Sequence, residues 1–232
     1  PPEEEIARFG DGVVSGAFQL RLRSSEAAGT GAAVFTQAHT LSQPTLVEYG
    51  TLVVTGSQPA SDVLLQGWTN PPARLRGTGT VGNVSMDTGN NEPKIVAPGT
   101  TAATGTLHTG NLSLADAANG DKGVLSVRLN GTGAGAWDQV AVTGTVDISN
   151  ATLDVVQGFT PAVGDSWMIV SNDGTDVVTG TFRVDGAPVP QGATFFAGGR
   201  TFQMDYQGGD GNDIVITLTS TTPVSLQSFE IE

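Results

Sequence analysis

The residues best suited to chemistry in this chain are carboxylates set among glycines. Residues 208–216 read GGDGNDIVI, which fits the nonapeptide pattern G-G-x-G-x-D-x-U-x. In that pattern Asp side chains and backbone carbonyls of successive turns share each Ca²⁺, an ion that needs several hard oxygen ligands. One copy supplies half a site at most. Asp210 and Asp213 therefore stand as calcium candidates against a plainer reading, a tight Gly-Asp turn between two strands, and no cofactor is expected to be required. Two carboxylate pairs, Asp173 with Asp176 and Asp138 with Asp147, have the residue types for acid–base work on a polysaccharide. The arginines Arg74, Arg76, Arg128, Arg183 and Arg200 do not cluster with Asp along the sequence. Asp is also a favoured turn residue, so the pairs read as solvated turns and the chain as no enzyme.

The remaining reactive side chains are sparse. His39 and His108 are the two histidines, far apart in sequence, and there is no cysteine, so they make no convincing zinc site. His108, in GTLHTG, is expected on a strand with its ring outward. No P-loop, G-x-S-x-G or dinucleotide fingerprint occurs in a fitting context, and the spaced glycines of GTGTVG open no helix. Trp68, Trp137, Trp167 and Tyr206 have rings able to stack on sugars. Trp137, beside Asp138 at the start of a strand, is the candidate for glycan stacking; Trp167, within SWMIV, reads as core or cap. The sequons at Asn83, Asn111, Asn130 and Asn150 read as corners of a Thr- and Asn-rich repeat.

The formal net charge of −13, with ten cations scattered along 232 residues, excludes a basic patch and argues against nucleic-acid partners. It argues equally against an anionic membrane surface and suits a well-solvated protein. No apolar run reaches the ~18 residues of a membrane span. The opening PPEEE, without Met, has the look of a processed or trimmed terminus.

What would position these side chains is a set of short strands. From Leu75 to Leu153 the same kind of phrase recurs: LRGTGTVGNVSMDTG, PKIVAPG, GTLHTGNLSLAD, GVLSVRLNGTG, WDQVAVTGTVDIS and NATLDVV. Each alternates apolar and polar residues and closes on Gly, Asn or Asp, which tolerate turn dihedrals. Short strands with turn signals every ~10 residues predict an all-β fold. The likeness of the phrases and their short turns favour a β-solenoid, each strand stacked on its counterpart one rung away, over a β-sandwich with Greek-key connections. Upstream, residues 13–23 alternate as a half-exposed strand, with Phe18, Leu20 and Leu22 on one face. From Gly158 the texture changes to prolines and bulky aromatics, Phe182, Phe195, Phe196, Phe202 and Tyr206, suited to covering a last open rung. The expected division is 1–45 N-terminal strands or cap, 46–157 rungs, 158–219 C-terminal cap, and 220–232 linker and lone terminal strand.

The run GSQPASDVLLQG…RLRGTGTVGNV, then APGTTAATGTLHTGNLSL, WDQVAVTGTVDISNATLDVV, GDSWMIVSNDGTDVVTGTF and FQMDYQGGDGNDIVITLTS resembles the carboxy-terminal part of bacterial secreted proteins with autotransporter-associated β-strand repeats, passenger-like and hemagglutinin-like surface proteins. The resemblance covers roughly Leu46 to Thr219. It implies a right-handed parallel β-helix ending in a cap, export to the cell surface or beyond, and a structural or adhesive role. No catalytic residues belong to that pattern, and such proteins usually carry many more rungs upstream.

The tail, VSLQSFEIE after Ser-Thr-Thr-Pro, is one amphipathic strand with no following partner in sequence. A lone strand is not stable by itself. Val224, Leu226, Phe229 and Ile231 are the candidate interface residues, either folding back or adding to the open edge of another copy. The expected partners are therefore further copies of the chain, or components of the cell surface or matrix.

Overall fold

The structure, a computed structural model, describes residues 6–8, 13–17, 19–23, 32–67, 71–89, 92–115 and 122–221. It is all-β, without a helix among those residues, and so without a helix long and apolar enough to cross a membrane. The strands form two mixed sheets, of 14 and 8 strands, and one parallel pair.

Along most of the chain the strands fall into three sets visited in a fixed order. In the first set Ala32–Phe35, residues 50–54, Ala73–Gly77, Lys94–Pro98, Gly123–Leu129 and Thr152–Gln157 pair in parallel, each with the next. In the second, Ser57–Gln58, Thr80–Val81, Thr106–Thr109, Gln139–Val142 and Ser166–Asn172 do the same. The third runs through Leu20–Arg23, residues 45–49, Val63–Leu65, Val84–Met86, Leu112–Ser113 and Val146–Asp147. Thr45–Val54 is a single long strand serving two sets, its halves divided at Gly50, whose φ of 95° turns the chain.

The alternation legible in the sequence becomes a set of stacks. Register places Ala33, Leu52, Leu75, Val96, Leu125 and Leu153 one above another, all buried. In the third set Thr45, Val63, Val84, Leu112 and Val146 stack likewise. Fully burying each such aliphatic side chain is worth about 1.5–3 kcal/mol. Between the inward residues the intervening side chains face out: Arg74, Ile95, Val124 and Thr152 are half-buried neighbours on the other face.

Pairing changes direction at Ser166–Asn172. One edge of that strand takes Gln139–Val142 in parallel, and the other takes Asp213–Ser220 antiparallel. Arg200–Gly208 and Thr194–Ala197 follow, both antiparallel. The core coarsens here too. Trp167 and Phe202 meet edge to face at 6.1 Å and Phe195 stacks on Phe202 at 5.6 Å. The Trp167 indole N–H donates to the Gly131 carbonyl at 2.8 Å. Tyr206, buried beside Phe182, accepts from the Phe182 N–H at 2.9 Å and donates to the Val189 carbonyl at 2.8 Å; burial pushes its phenol up to about 12.

Candidate functional site

The corner between the second and third sets carries a ladder of side-chain acceptors. Asp62 Oδ1 accepts the Asn83 N–H at 2.8 Å, Asn83 Oδ1 accepts the Asn111 N–H at 2.8 Å, and Asn111 Oδ1 accepts the Thr145 N–H at 2.9 Å. Each corner thereby satisfies a backbone donor of the next with a side-chain acceptor, at the exposed edge of the corner. The preceding residues are Gly82, Gly110 and Gly144, and the reason is space: a Cβ on Gly144 would sit 2.1 Å from Asn111 Oδ1, and one on Gly110 2.6 Å from Asn83 Oδ1. Asn130 and Gly158 repeat the arrangement elsewhere, at 2.0 Å. The Gly-Asn dipeptides of the sequence are thus two halves of an interlock, and the Asn83 and Asn111 side chains are occupied by it. A shallow groove of about 300 Å³ runs along this corner, lined in part by Asp62, Asn83, Thr80, His108 and Thr143. His108 is exposed there, on its strand, as its position in GTLHTG suggests.

Asp138 departs from the expectation of a solvated turn. It is 1% exposed and paired with Arg128: Nε donates to Oδ2 at 2.7 Å and Nη2 to Oδ1 at 3.1 Å. The same carboxylate takes the backbone N–H groups of Arg128 and Gly105. The two residues meet because a turn lays Leu129 antiparallel to Trp137, a proximity that linear spacing does not reveal. A carboxylate so enclosed holds the turn together and has no free oxygen for acid–base work. Asp147 closes a turn of its own through the Ser149 N–H and hydroxyl. Trp137 is half-buried and its indole N–H is spent on the Met168 carbonyl at 2.9 Å.

Glu48 is a buried acid that the sequence reading did not single out. Leu22 pairs with Val47 and Arg23 with Tyr49, so Glu48 occupies an irregularity in the register. It is 1% exposed and takes donors from Arg21 Nη1 at 3.2 Å and Arg23 Nη2 at 3.0 Å. Hydrogen bonding from Arg23 leads in holding its carboxyl below the usual range, with Arg21 helping and burial opposing. The signal available was an acid inside the apolar run TLVEYGTLVV. His39 is also buried, its ring tilted against Phe35 at 4.7 Å, its Nδ1 accepting the Val14 N–H at 2.9 Å and its Nε2 without a partner. Burial lowers its pKa.

The structure brings together two carboxylate groups that the sequence keeps apart. The GGDGND turn, joining Arg200–Gly208 to Asp213–Ser220, packs against the loop that follows Asn172. Asp213 is buried and its Oδ1 accepts the Asn172 N–H at 2.8 Å. Asn212 Nδ2 donates to the carbonyls of Asp173 at 3.2 Å and Asp176 at 3.1 Å, and Asn172 Nδ2 donates to the Asp176 carbonyl at 2.9 Å. Gly209, φ 58°, is required because a Cβ would overlap the Asp213 carboxylate. Asp210 is exposed at the tip of the turn. Among the described residues no three His, Asp or Glu side chains are grouped to hold a metal. Val224, Leu226, Phe229 and Ile231, like Trp68, lie outside the described residues.

No family model matches this chain, and no curated protein matches it.

Proposed function

We propose that this chain is a stretch of right-handed parallel β-helix closed by a C-terminal β cap, and that it serves a non-enzymatic, structural or adhesin-type role at or outside the surface of a bacterial cell. The observation that carries the reading is the return of the chain, three strands later, to pair in parallel with the previous strand of the same set, from Ala32 to Gln157. The interlocked Gly-Asn corners support it, because they align each circuit on the one before. Handedness follows from the strong preference for right-handed crossovers between parallel strands. The antiparallel, aromatic-rich section on Ser166–Asn172 then acts as the cap, since an open parallel edge would recruit other chains.

A solenoid built from such circuits is a stiff spacer or display surface, and its acidic exterior keeps it dispersed. The terminal strand of sequence, with Val224, Leu226, Phe229 and Ile231, is the part we assign to joining copies by strand addition, a contact that propagates head to tail when it does not close. Light scattering and negative-stain microscopy of the intact chain and of a chain lacking residues 221–232 test this. Linear assemblies that disappear on deletion support it; identical particles from both chains overturn the assignment of the tail. Glycan binding abolished by Trp137→Ala would instead favour a recognition module.

A further inference from the structure

The two loops at residues 172–176 and 209–213 leave acceptors that nothing in the protein satisfies. Asn172 Oδ1, Asp176 Oδ2 and Asn212 Oδ1 are each buried with no hydrogen-bond partner, and the two asparagines are 2% and 4% exposed. They belong to one cluster, because both asparagine amides donate to the same Asp176 carbonyl. Their N–H₂ groups being spent there, the amide oxygens are what remains. A buried acceptor left bare costs about 1–3 kcal/mol, and more when it is charged. Three on residues that meet at the Asp176 main chain, one of them a carboxylate oxygen, call for a donor that they can share.

The donor must be positive. Segments 171–180 and 207–216 contain Asp173, Asp176, Asp210 and Asp213 and no Lys or Arg. A single water has two hydrogens, which leaves one of the three acceptors bare, and it does nothing for the carboxylate charge. A hard cation satisfies amide and carboxylate oxygens alike. Ca²⁺ accepts six to eight oxygens in flexible geometry, so protein ligands completed by water suit it, whereas Mg²⁺ demands a near-ideal octahedron. We propose that Asn172 Oδ1, Asp176 Oδ2 and Asn212 Oδ1 are protein ligands of a Ca²⁺ ion that ties the 172–176 loop to the 209–213 turn. This differs from a site made by Asp210 and Asp213: Asp213 positions the cluster through the Asn172 N–H, and amide oxygens supply most of the ligation. The ion fastens the antiparallel section to the last strand of the parallel series.

Calorimetric titration of CaCl₂ into the full chain, stripped beforehand with a chelator, tests this alongside thermal melting in Ca²⁺, Mg²⁺ and chelator. One saturable equivalent of Ca²⁺ is expected, with a Tm raised by Ca²⁺ and much less by Mg²⁺. Asp176→Asn, which removes charge at constant shape, should weaken uptake about tenfold or more, as affinity follows ligand charge. Asp154→Asn, on the exposed face of Thr152–Gln157, should leave it unchanged. Absence of saturable uptake with no Tm response in the unaltered chain overturns the site. So does uptake that Asp176→Asn leaves intact, or that both substitutions reduce equally, the mark of a diffuse counterion effect from the net charge.

Discussion

At the residue scale, what individual side chains contribute here is mostly the pairing of backbone groups between neighbouring circuits. Asn111→Ala removes the acceptor of the exposed Thr145 N–H and should cost about 0.5–1.5 kcal/mol. Gly144→Ala should be worse, since its Cβ meets Asn111 Oδ1 at 2.1 Å. The double variant removes both the clash and its cause, so its loss should fall short of the sum of the singles, read by urea unfolding as a double-mutant cycle. Additive losses would show that the two residues do not interlock. His39 supplies a pH-dependent counterpart. Its folded pKa lies below the ordinary 6.5 because of burial, so below pH 6.5 the unfolded chain binds more protons and gains on the folded one. Tm should fall between pH 7 and 5, and His39→Gln should flatten that slope. Sequence alone identified the asparagines as corners, because Asn tolerates turn dihedrals. It did not show that each Asn reaches the glycine of the next circuit, since that contact is long-range. The Arg128–Asp138 pair was hidden for the same reason.

At the element scale, strands of the parallel series are held by stacks in which each inner member lies between two others. Leu75→Ala and Leu125→Ala, in the middle of the Leu52–Leu153 stack, should each cost about 2–5 kcal/mol, because a well-packed interior relaxes little around the cavity. Val156→Ala, on the outer face and 46% exposed, should cost little by the same unfolding measurement. The strand Thr45–Val54 adds an acid-sensitive element. Glu48 is held below its ordinary 4.5 by Arg23 and Arg21, so its contribution is present above that value and lost as pH falls through the depressed one. Glu48→Gln should therefore lessen the part of acid unfolding that lies below pH 4.5. Period-two alternation made the existence and faces of these strands legible, and SWMIV was legible as core or cap, where Trp167 is buried. The calcium-pattern loop was legible only as a turn: Asn172 and Asn212 carry no special spacing, and their meeting depends on the antiparallel return of Asp213–Ser220 alongside Ser166–Asn172.

At the scale of the whole molecule, the claim that matters is that circuits lie directly on one another in parallel, in the register that stacks Leu125 on Leu153. Everything proposed for function rests on it: a stiff rod, a cap on one end, an edge to be managed. A sandwich of antiparallel hairpins would use many of the same strands with different neighbours. Cross-linking separates the two arrangements, and the absence of native cysteine makes the readout clean. Ser126 and Asp154 face each other on adjacent outer positions, Oγ donating to Oδ2 at 2.8 Å. Neighbouring strands lie about 4.8 Å apart, within reach of a disulfide. Ser126→Cys with Asp154→Cys should oxidise to an intramolecular disulfide, while Ser126→Cys with Val156→Cys, displaced to about 8 Å along the partner strand, should stay reduced. Peptide mapping by mass spectrometry under non-reducing conditions is the measurement to make. A 126–154 disulfide in protein that retains its β circular dichroism is the predicted result; folded protein that bridges 126 to 156 but not to 154, or neither, would contradict the stacked parallel arrangement.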